Sequence, residues 1–321
     1  MRVGLVLGGG GLTGGAFHAG VLGALAGAGW DARAANVLLG TSAGAITVTS
    51  LAAGMPPADM VRRHCGEPLS DEGTTLLARI SGGSRELVTE AGRDRAPASP
   101  DLLRAMLRNP QGAHPGKVAA AVLPEGRVST ASIEHSMREL CRNRWPSDRL
   151  RITALRLGDG ETVVFGRRGT EPPAIGSAVA ASCAIPGFFT PVTIGAERYV
   201  DGGSTSACNA DKVMHEGLDL VIVSAPMAIH SGIRLAPDTP WRCVLRRQVD
   251  REIARLRAAG MSVVLFAPTQ TVVEAMGSNP MAPGKEPEVA RRAQAMAAER
   301  IASDRRLRDL GLVSSDRGTQ L

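Results

Sequence analysis

The sequence predicts an α/β fold on a parallel sheet, and two observations carry the prediction. Within residues 3–54, "VGLVLGG", a helical pattern, "NVLLG" and a second helical pattern follow one another, the alternation that parallel crossovers require. Further on, "LDLVIVSAP" and "SVVLFAP" are apolar along nearly their whole length, as strands covered on both faces are.

The elements follow in order. "VGLVLGG" is a short buried strand that ends in glycine. From Gly14 to about Ala28, Phe17, Val21, Leu25 and Ala28 recur at helical spacing. "NVLLG" is the second strand, and "SAGAITVTSLAAG" is the second helix, closed by Gly54 and Pro56. Residues 64–128 are broken by Pro97, Pro100, Pro110, Pro115 and Pro124, and read as an irregular cap or lid inserted into the domain. Within them "SPDLLRAMLRNP" is a short helix, with Ser99 as cap and Pro100 in the first turn. A helix over Ser132–Arg144 follows. "RITALRLGDGETVVFG" is a hairpin turning at Asp159-Gly160. "AIGSAVAASCAIP" is a helix of small residues stopped near Pro186, and "RYVDGG" is a strand running into a turn. Between the last two apolar strands, Trp241–Ala259 forms a helix with Leu245, Val249, Ile253 and Leu256 on one face. A final helix covers Pro287 to Leu310, within a C-terminal helix and tail at 287–321. No repeat or clean linker divides the chain, so residues 1–321 are one domain.

Composition narrows the function. With 44 % hydrophobic, 21 % charged and only 3 % aromatic residues, the chain is globular, with a core of Ala, Val, Leu and Ile. The net charge is +6, carried almost wholly by arginine, since lysine occurs only at positions 117, 212 and 285. That balance favours anionic surfaces such as phospholipid headgroups, while nucleic acid is not expected without an interleaved basic and aromatic patch. Cys65, Cys141, Cys183, Cys208 and Cys243 are odd in number and scattered, which argues against a disulfide framework or a zinc site and for a reducing, cytoplasmic setting. The glycines at 8–11 break the first apolar stretch too early for a signal peptide. No run of 18 apolar residues spans a membrane.

Six glycines crowd positions 8–15, and three uses compete. Gly9-x-Gly11-x-x-Gly14 matches a dinucleotide fingerprint, but the second strand lacks the carboxylate that would hold a ribose. A phosphate-binding P-loop needs Lys and Ser/Thr after its last glycine, where Gly15 and Ala16 stand. The third use takes the loop together with Gly40-Thr41-Ser42-Ala43-Gly44, a G-x-S-x-G elbow between a buried strand and a helix. In a 38-glycine chain the pentapeptide alone could arise by chance; the strand, elbow and helix context and the nearby glycine loop make that the weaker explanation. Such an elbow presents Ser42 at a helix N-terminus, and the glycine loop can offer bare N–H donors to an oxyanion.

A serine hydroxyl needs a proton acceptor. Six histidines are available: His18, inside the first helix and read as packed, His64, His114 and His135 in the irregular middle, and His215 and His230 later on. The other candidate is Asp201 in "YVDGGSTSACN", at a strand end before two glycines; Asp211 and Asp219 are weaker. Taken alone, each of these residues reads more simply as an ordinary surface, turn or structural group.

Three blocks in this order resemble the patatin-like phospholipases, Ser-Asp dyad lipid acyl hydrolases. "GGGGLTGGAFHAGVL" is similar to the family's oxyanion loop and helix, "GTSAGA" to its nucleophile elbow, and "ASCAIPGFFTPV" leading to "YVDGG" to its Ala-Ser-x-Ala-x-Pro segment and Asp-Gly-Gly. The likeness spans roughly residues 3–226. It implies a three-layer α/β/α sandwich with a mainly parallel central sheet. It also implies Ser42 as nucleophile, Asp201 as base, Gly9, Gly10, Gly11 and Gly14 as oxyanion loop, Gly40 and Gly44 as elbow glycines, a lipid or acyl-ester substrate, and neither metal nor cofactor. The family's loop usually carries Arg or Lys where this chain has Thr13, a change that keeps the backbone donors but removes a charge. An α/β-hydrolase fits less well, because only one strand and one helix precede the elbow strand.

The expected activity is ester hydrolysis through an acyl-enzyme. Its alternatives are a catalytically weak or silent lipid-binding protein, a Ser-His-Asp esterase using His215 or His230, and, more distantly, a nicotinamide-binding protein. In the terminal helix, Val289, Ala293, Met296, Ala297 and Ile301 share a face and arginines are abundant. A docked helix with a solvated outer face is the preferred reading, and peripheral contact with an anionic membrane the sharper alternative.

Overall fold

The computed structural model describes residues 1–80, 98–108, 115–229, 239–304 and 307. Strand β1 (Val3–Leu7) leads into helix α1 (Gly11–Gly27), and β2 (Val37–Gly40) into α2 (Ala43–Ala52), as the alternation predicts. Helices α3 (Pro57–Cys65), α4 (Asp71–Leu77), α5 (Pro100–Arg108), α6 (Pro115–Val122) and α7 (Ala131–Leu140) precede the β3 (Leu150–Arg156) and β4 (Thr162–Phe165) hairpin. Then come α8 (Ile175–Cys183), β5 (Val192–Ile194), β6 (Glu197–Asp201), β7 (Leu220–Ser224), α9 (Thr239–Ala258), β8 (Ser262–Phe266), α10 (Gln270–Met276) and α11 (Glu286–Ser303).

The sheet order is β5-β6-β3-β2-β1-β7-β8, with β4 also on β3. The strands from β3 through β8 in that order run parallel, and β4, β5 and β6 add antiparallel pairs. Both faces are covered, and the strands alternate between two cores. Val3, Leu5 and Leu7 face the core made with α1, α2, α8 and α11, while Val6 joins Val221, Val223, Val263 and the α9 residues Leu245, Val249, Ile253 and Leu256 on the other side. This is a three-layer α/β/α arrangement. A third, smaller cluster joins Leu102 of α5 and Ala120 and Ala121 of α6 to Leu155 and Val200.

Several boundaries differ from the sequence expectation. Helix α1 begins at Gly11 rather than Gly14, so the last glycines of the run lie in its first turns. Glycine disfavours a helix by about 1 kcal/mol each, but here close tertiary approach decides: a Cβ on Gly11 would lie 2.7 Å from the Pro280 carbonyl oxygen. Helix α7 stops at Leu140, with Arg142 and Asn143 at positive φ, instead of running to Arg144. The final helix ends at Ser303; most of its expected extension to Leu310 lies outside the described residues. Strand β5 and helices α3, α4, α6 and α10 are not among the elements the sequence pattern predicts. Helix α11 is docked on α1: Val289, Ala290, Ala293 and Ala297 are fully buried, and Gly20 of α1 has no room for a Cβ against the Ala290 carbonyl.

Candidate active site

The parallel strands deliver two turns to one edge of the sheet. β1 and β2 pair from Gly4–Val37 to Leu7–Gly40, so the glycine segment and the elbow leave side by side. β6 arrives antiparallel on β3. Gly40 pairs with Ile152 and Asp201 with Ala154, two residues further along the same strand. That register brings the end of β6 to the elbow.

Ser42 is the residue before α2 and has φ 55° and ψ −121°. A positive φ on a non-glycine residue stores local strain that the surrounding structure must hold. It is held by close packing. A Cβ on Gly44 would run into the Leu7 carbonyl, and one on Gly40 would sit 2.6 Å from the Ala45 nitrogen. The Ser42 N–H donates to Ser182 Oγ at 2.9 Å, and the Gly44 N–H reaches Gly8 O and Thr41 O. The elbow is thereby stitched to both α8 and the glycine segment.

Ser42 and Asp201 line one cavity of about 270 Å³ together with Gly9, Gly10 and Gly11. Its remaining wall is mostly apolar: Ile185 and Pro186 after α8, Trp241 and Leu245 of α9, and Pro280 and Met281. Asp201 Oδ1 accepts the Gly203 N–H at 2.7 Å. Burial raises its pKa from 3.8 to about 6, while hydrogen bonding from the Ser42 side chain and the Gly203 backbone opposes the rise. Cys183 is buried beside both residues. Its thiol is held well above its ordinary pKa by burial and by the Asp201 charge, so it remains a thiol.

The glycines divide by what their N–H groups do. Gly9 donates to Ala207 O at 2.7 Å and Gly14 to Gly10 O at 2.8 Å, so both donors are engaged. Those of Gly10 and Gly11 meet no protein acceptor among the described residues and sit at the start of the 17-residue helix α1, where the helix dipole favours negative charge. An ideal Cβ on Gly9 would stand 3.3 Å from Ser42 Cβ, so the segment runs directly past the serine.

Four residues that sequence reading did not single out hold this arrangement. Asn209, itself at φ 55°, donates from Nδ2 to Thr41 Oγ1 at 3.2 Å and to Gly202 O at 3.2 Å. One amide thus ties the neighbour of Ser42 to the neighbour of Asp201. Ser182 anchors the elbow nitrogen. Buried Glu252 of α9 accepts the Ala210 N–H at 2.8 Å, and Ser206 Oγ accepts those of Cys208 and Asn209. Burial raises the Glu252 pKa from 4.5 to about 7. His18 is fully buried, with Nε2 2.7 Å from Gly8 O and Nδ1 2.8 Å from Ser224 Oγ. A carbonyl only accepts, so Nε2 carries the proton and Nδ1 accepts from the serine. Burial lowers the His18 pKa to about 4, and the ring is neutral. Asn209 and Ser182 lie inside quoted motifs, but nothing in a linear pattern reveals what a side chain will reach.

The other candidates lie elsewhere. His215 is exposed, on the segment whose Glu216 and Gly217 carbonyls accept from Arg2 ahead of β1, at the opposite edge of the sheet from the elbow. Asp219 accepts from the Arg2 N–H and Asp211 pairs with Arg255. His64 is half-buried against Gly15 of α1, and His135 bonds Arg138. His114 and His230 are outside the described residues. Thr13 is buried, and its N–H donates to Pro280 O at 3.2 Å, fastening the segment that walls the cavity. No cluster of His, Cys, Asp or Glu suited to a metal occurs among the described residues.

Among solved structures, the chain is similar to VipD from Legionella pneumophila, at 15 % identity and TM-score 0.45, over 94 % of this chain and 67 % of that one. It is also similar to the type III effector ExoU, at 20 % identity and TM-score 0.38, over 94 % of this chain and 53 % of that one. ExoU from Pseudomonas aeruginosa in complex with SpcU matches at 21 % identity and TM-score 0.38. The chain thus spans about half the length of ExoU. No curated protein matches its sequence. The family model for patatin-like phospholipases matches residues 5–214, from β1 through the segment beyond Asp201, and the chain belongs to that family.

Proposed function

We propose that this protein hydrolyses fatty-acyl esters, as a phospholipase A or carboxylesterase, through Ser42 and Asp201. Family membership supports lipid acyl hydrolysis in general. The observation that carries the specific reading is the meeting of Ser42, Asp201 and the spare Gly10 and Gly11 donors at one largely apolar cavity. Asp201 accepts the Ser42 proton as Oγ attacks the acyl carbonyl, and Gly10 and Gly11 N–H groups receive the oxyanion. The proton passes to the leaving alcohol. Asp201 then takes a proton from water, the water oxygen attacks the acyl-enzyme, and the fatty acid leaves as Ser42 recovers its proton.

The test is turnover of a medium-chain p-nitrophenyl ester by the purified protein. Ser42→Ala and Asp201→Asn should each lower kcat/KM by about 10³-fold or more. Wild-type activity in either variant removes that residue from the mechanism. Retained labelling of Asp201→Asn by a fluorophosphonate at the wild-type rate would show that another group activates Ser42.

A further inference from the structure

Among the described residues nine large hydrophobic side chains are exposed, and seven of them sit on or beside the lining of the cavity. Trp241 lines it and is still 45 % exposed, and Val244 stands one turn along α9, next to the lining residue Leu245. On α6, Val118 and Val122 are four residues apart on one side of the helix and flank the lining residue Ala119. A Cβ on Gly187, which follows the lining residue Pro186, would lie 3.1 Å from Leu123, and exposed Phe188 comes next. Leu12 follows Gly11. Single exposed apolar residues need no explanation; a ring of them around one opening marks a contact surface.

We propose that this rim docks the protein on a lipid bilayer that contains anionic phospholipid, so that an acyl ester enters the cavity directly from the membrane. The charges select this occupant. Beyond Trp241 and Val244, α9 carries exposed Arg247 and Arg251, which form no ion pair among the described residues. Apolar side chains flanked by unpaired arginines match acyl chains below phosphates, and a tryptophan suits the boundary between them. A second copy of the same surface would bring like charges together. The helix so placed is α9 with α6, not α11, whose apolar face is already covered by α1.

The proposal rests on the acyl-ester reading of the cavity, and the experiment separates the two. Ser42→Ala protein, which cannot turn over lipid under the mechanism above, is sedimented with phosphatidylcholine vesicles containing phosphatidylglycerol. It should partition with them, with a blue shift of tryptophan emission. Adding Val122→Asp and Val244→Asp should weaken partition by about 10- to 100-fold, the size expected for two valines withdrawn from an apolar contact. In the Ser42 background the same pair should leave hydrolysis of a dispersed short-chain ester within about twofold of wild type. Thermal melts check folding, and Val244→Asp alone serves if the pair is unstable. Absence of vesicle binding by the parent overturns the proposal, as does undiminished binding by the variants. A concentration-dependent dimer lost in the variants, without vesicle binding, overturns it in favour of a second copy. Vesicle binding by a protein that hydrolyses no ester upholds the docking surface and rejects the hydrolase reading.

Discussion

The pH dependence of acylation follows from where Asp201 sits. The carboxyl is buried, and burial lifts its pKa from 3.8 to about 6 despite hydrogen bonds from Ser42 and Gly203. Only the ionised form accepts the Ser42 proton. With a value near 6, about 9 % of the base is ionised at pH 5 and about 91 % at pH 7, so kcat/KM should rise about tenfold along a one-proton limb. A solvent-exposed carboxylate at its ordinary value would already be more than about 90 % ionised at pH 5, and the profile would be flat. Glu252 is the competing explanation, since its own pKa is raised to about 7 and it holds the segment that anchors Gly9. Glu252→Gln keeps an acceptor for the Ala210 N–H and removes that titration. The assay is kcat/KM for a soluble p-nitrophenyl ester from about pH 4.5 to 8.5 in wild type and Glu252→Gln. The limb centred near 6 should persist in both. A flat profile, or a limb that vanishes in Glu252→Gln, refutes the assignment of the titrating base to Asp201.

Other consequences are as direct. Ser182→Ala leaves the Ser42 N–H buried without its acceptor, which should cost about 1–3 kcal/mol in urea unfolding and lower kcat more than it raises KM. Asn209→Gly keeps the positive φ but deletes the amide between Thr41 and Gly202, so kcat should fall with the overall fold intact by circular dichroism. His18 has its folded pKa lowered from 6.5 to about 4, so the unfolded chain binds the proton first. The associated stability is complete above about pH 6.5 and falls as pH drops towards 4, by about 3 kcal/mol in all. His18→Gln, which can still donate to Gly8 O, should lose that slope in unfolding titrations run at several pH values.

How far the sequence disclosed this molecule depends on which link is asked about. Apolar runs such as "LVIVS" and "VLLG" are strands because only a sheet covered on both faces buries every residue, and that pattern is local. The elbow was readable because a serine forced to positive φ needs glycine on both sides, and those glycines are two residues away in sequence. The meeting of Ser42 with Asp201 was less accessible: it depends on β6 pairing with β3 across residues 154–156, a long-range register that only the family resemblance anticipated. Which glycines have spare donors was hidden, because the partners of Gly9 and Gly14 are Ala207 O and Gly10 O, and the first of these is set by the fold. The supports were hidden for the same reason. Glu252 belongs to no motif, and the packed position expected of His18 does not by itself disclose its bonds to Gly8 O and Ser224 Oγ.

A catalytic carboxylate kept out of water should oppose folding, and the geometry allows that to be measured. Asp201 binds its proton more tightly in the native state than in the unfolded chain, because its folded pKa lies near 6 rather than 3.8. Between those values, stability should therefore fall as pH rises, by about 3 kcal/mol in total, and the full cost should be present above about pH 7. Asp201→Asn has nearly the same shape, can still accept the Gly203 N–H, and carries no charge to desolvate. It should be inactive yet more stable than wild type at pH 8, by several degrees in Tm for a chain of this size. Near pH 4, where the wild-type carboxyl is protonated in the folded state, the advantage should vanish. Calorimetry at the two pH values gives the answer. An Asp201→Asn protein that melts at or below the wild-type temperature at pH 8 would mean that Ser42 and Gly203 solvate the carboxylate as well as water does. The raised proton affinity, and the steep rate profile derived from it, would then both be lost.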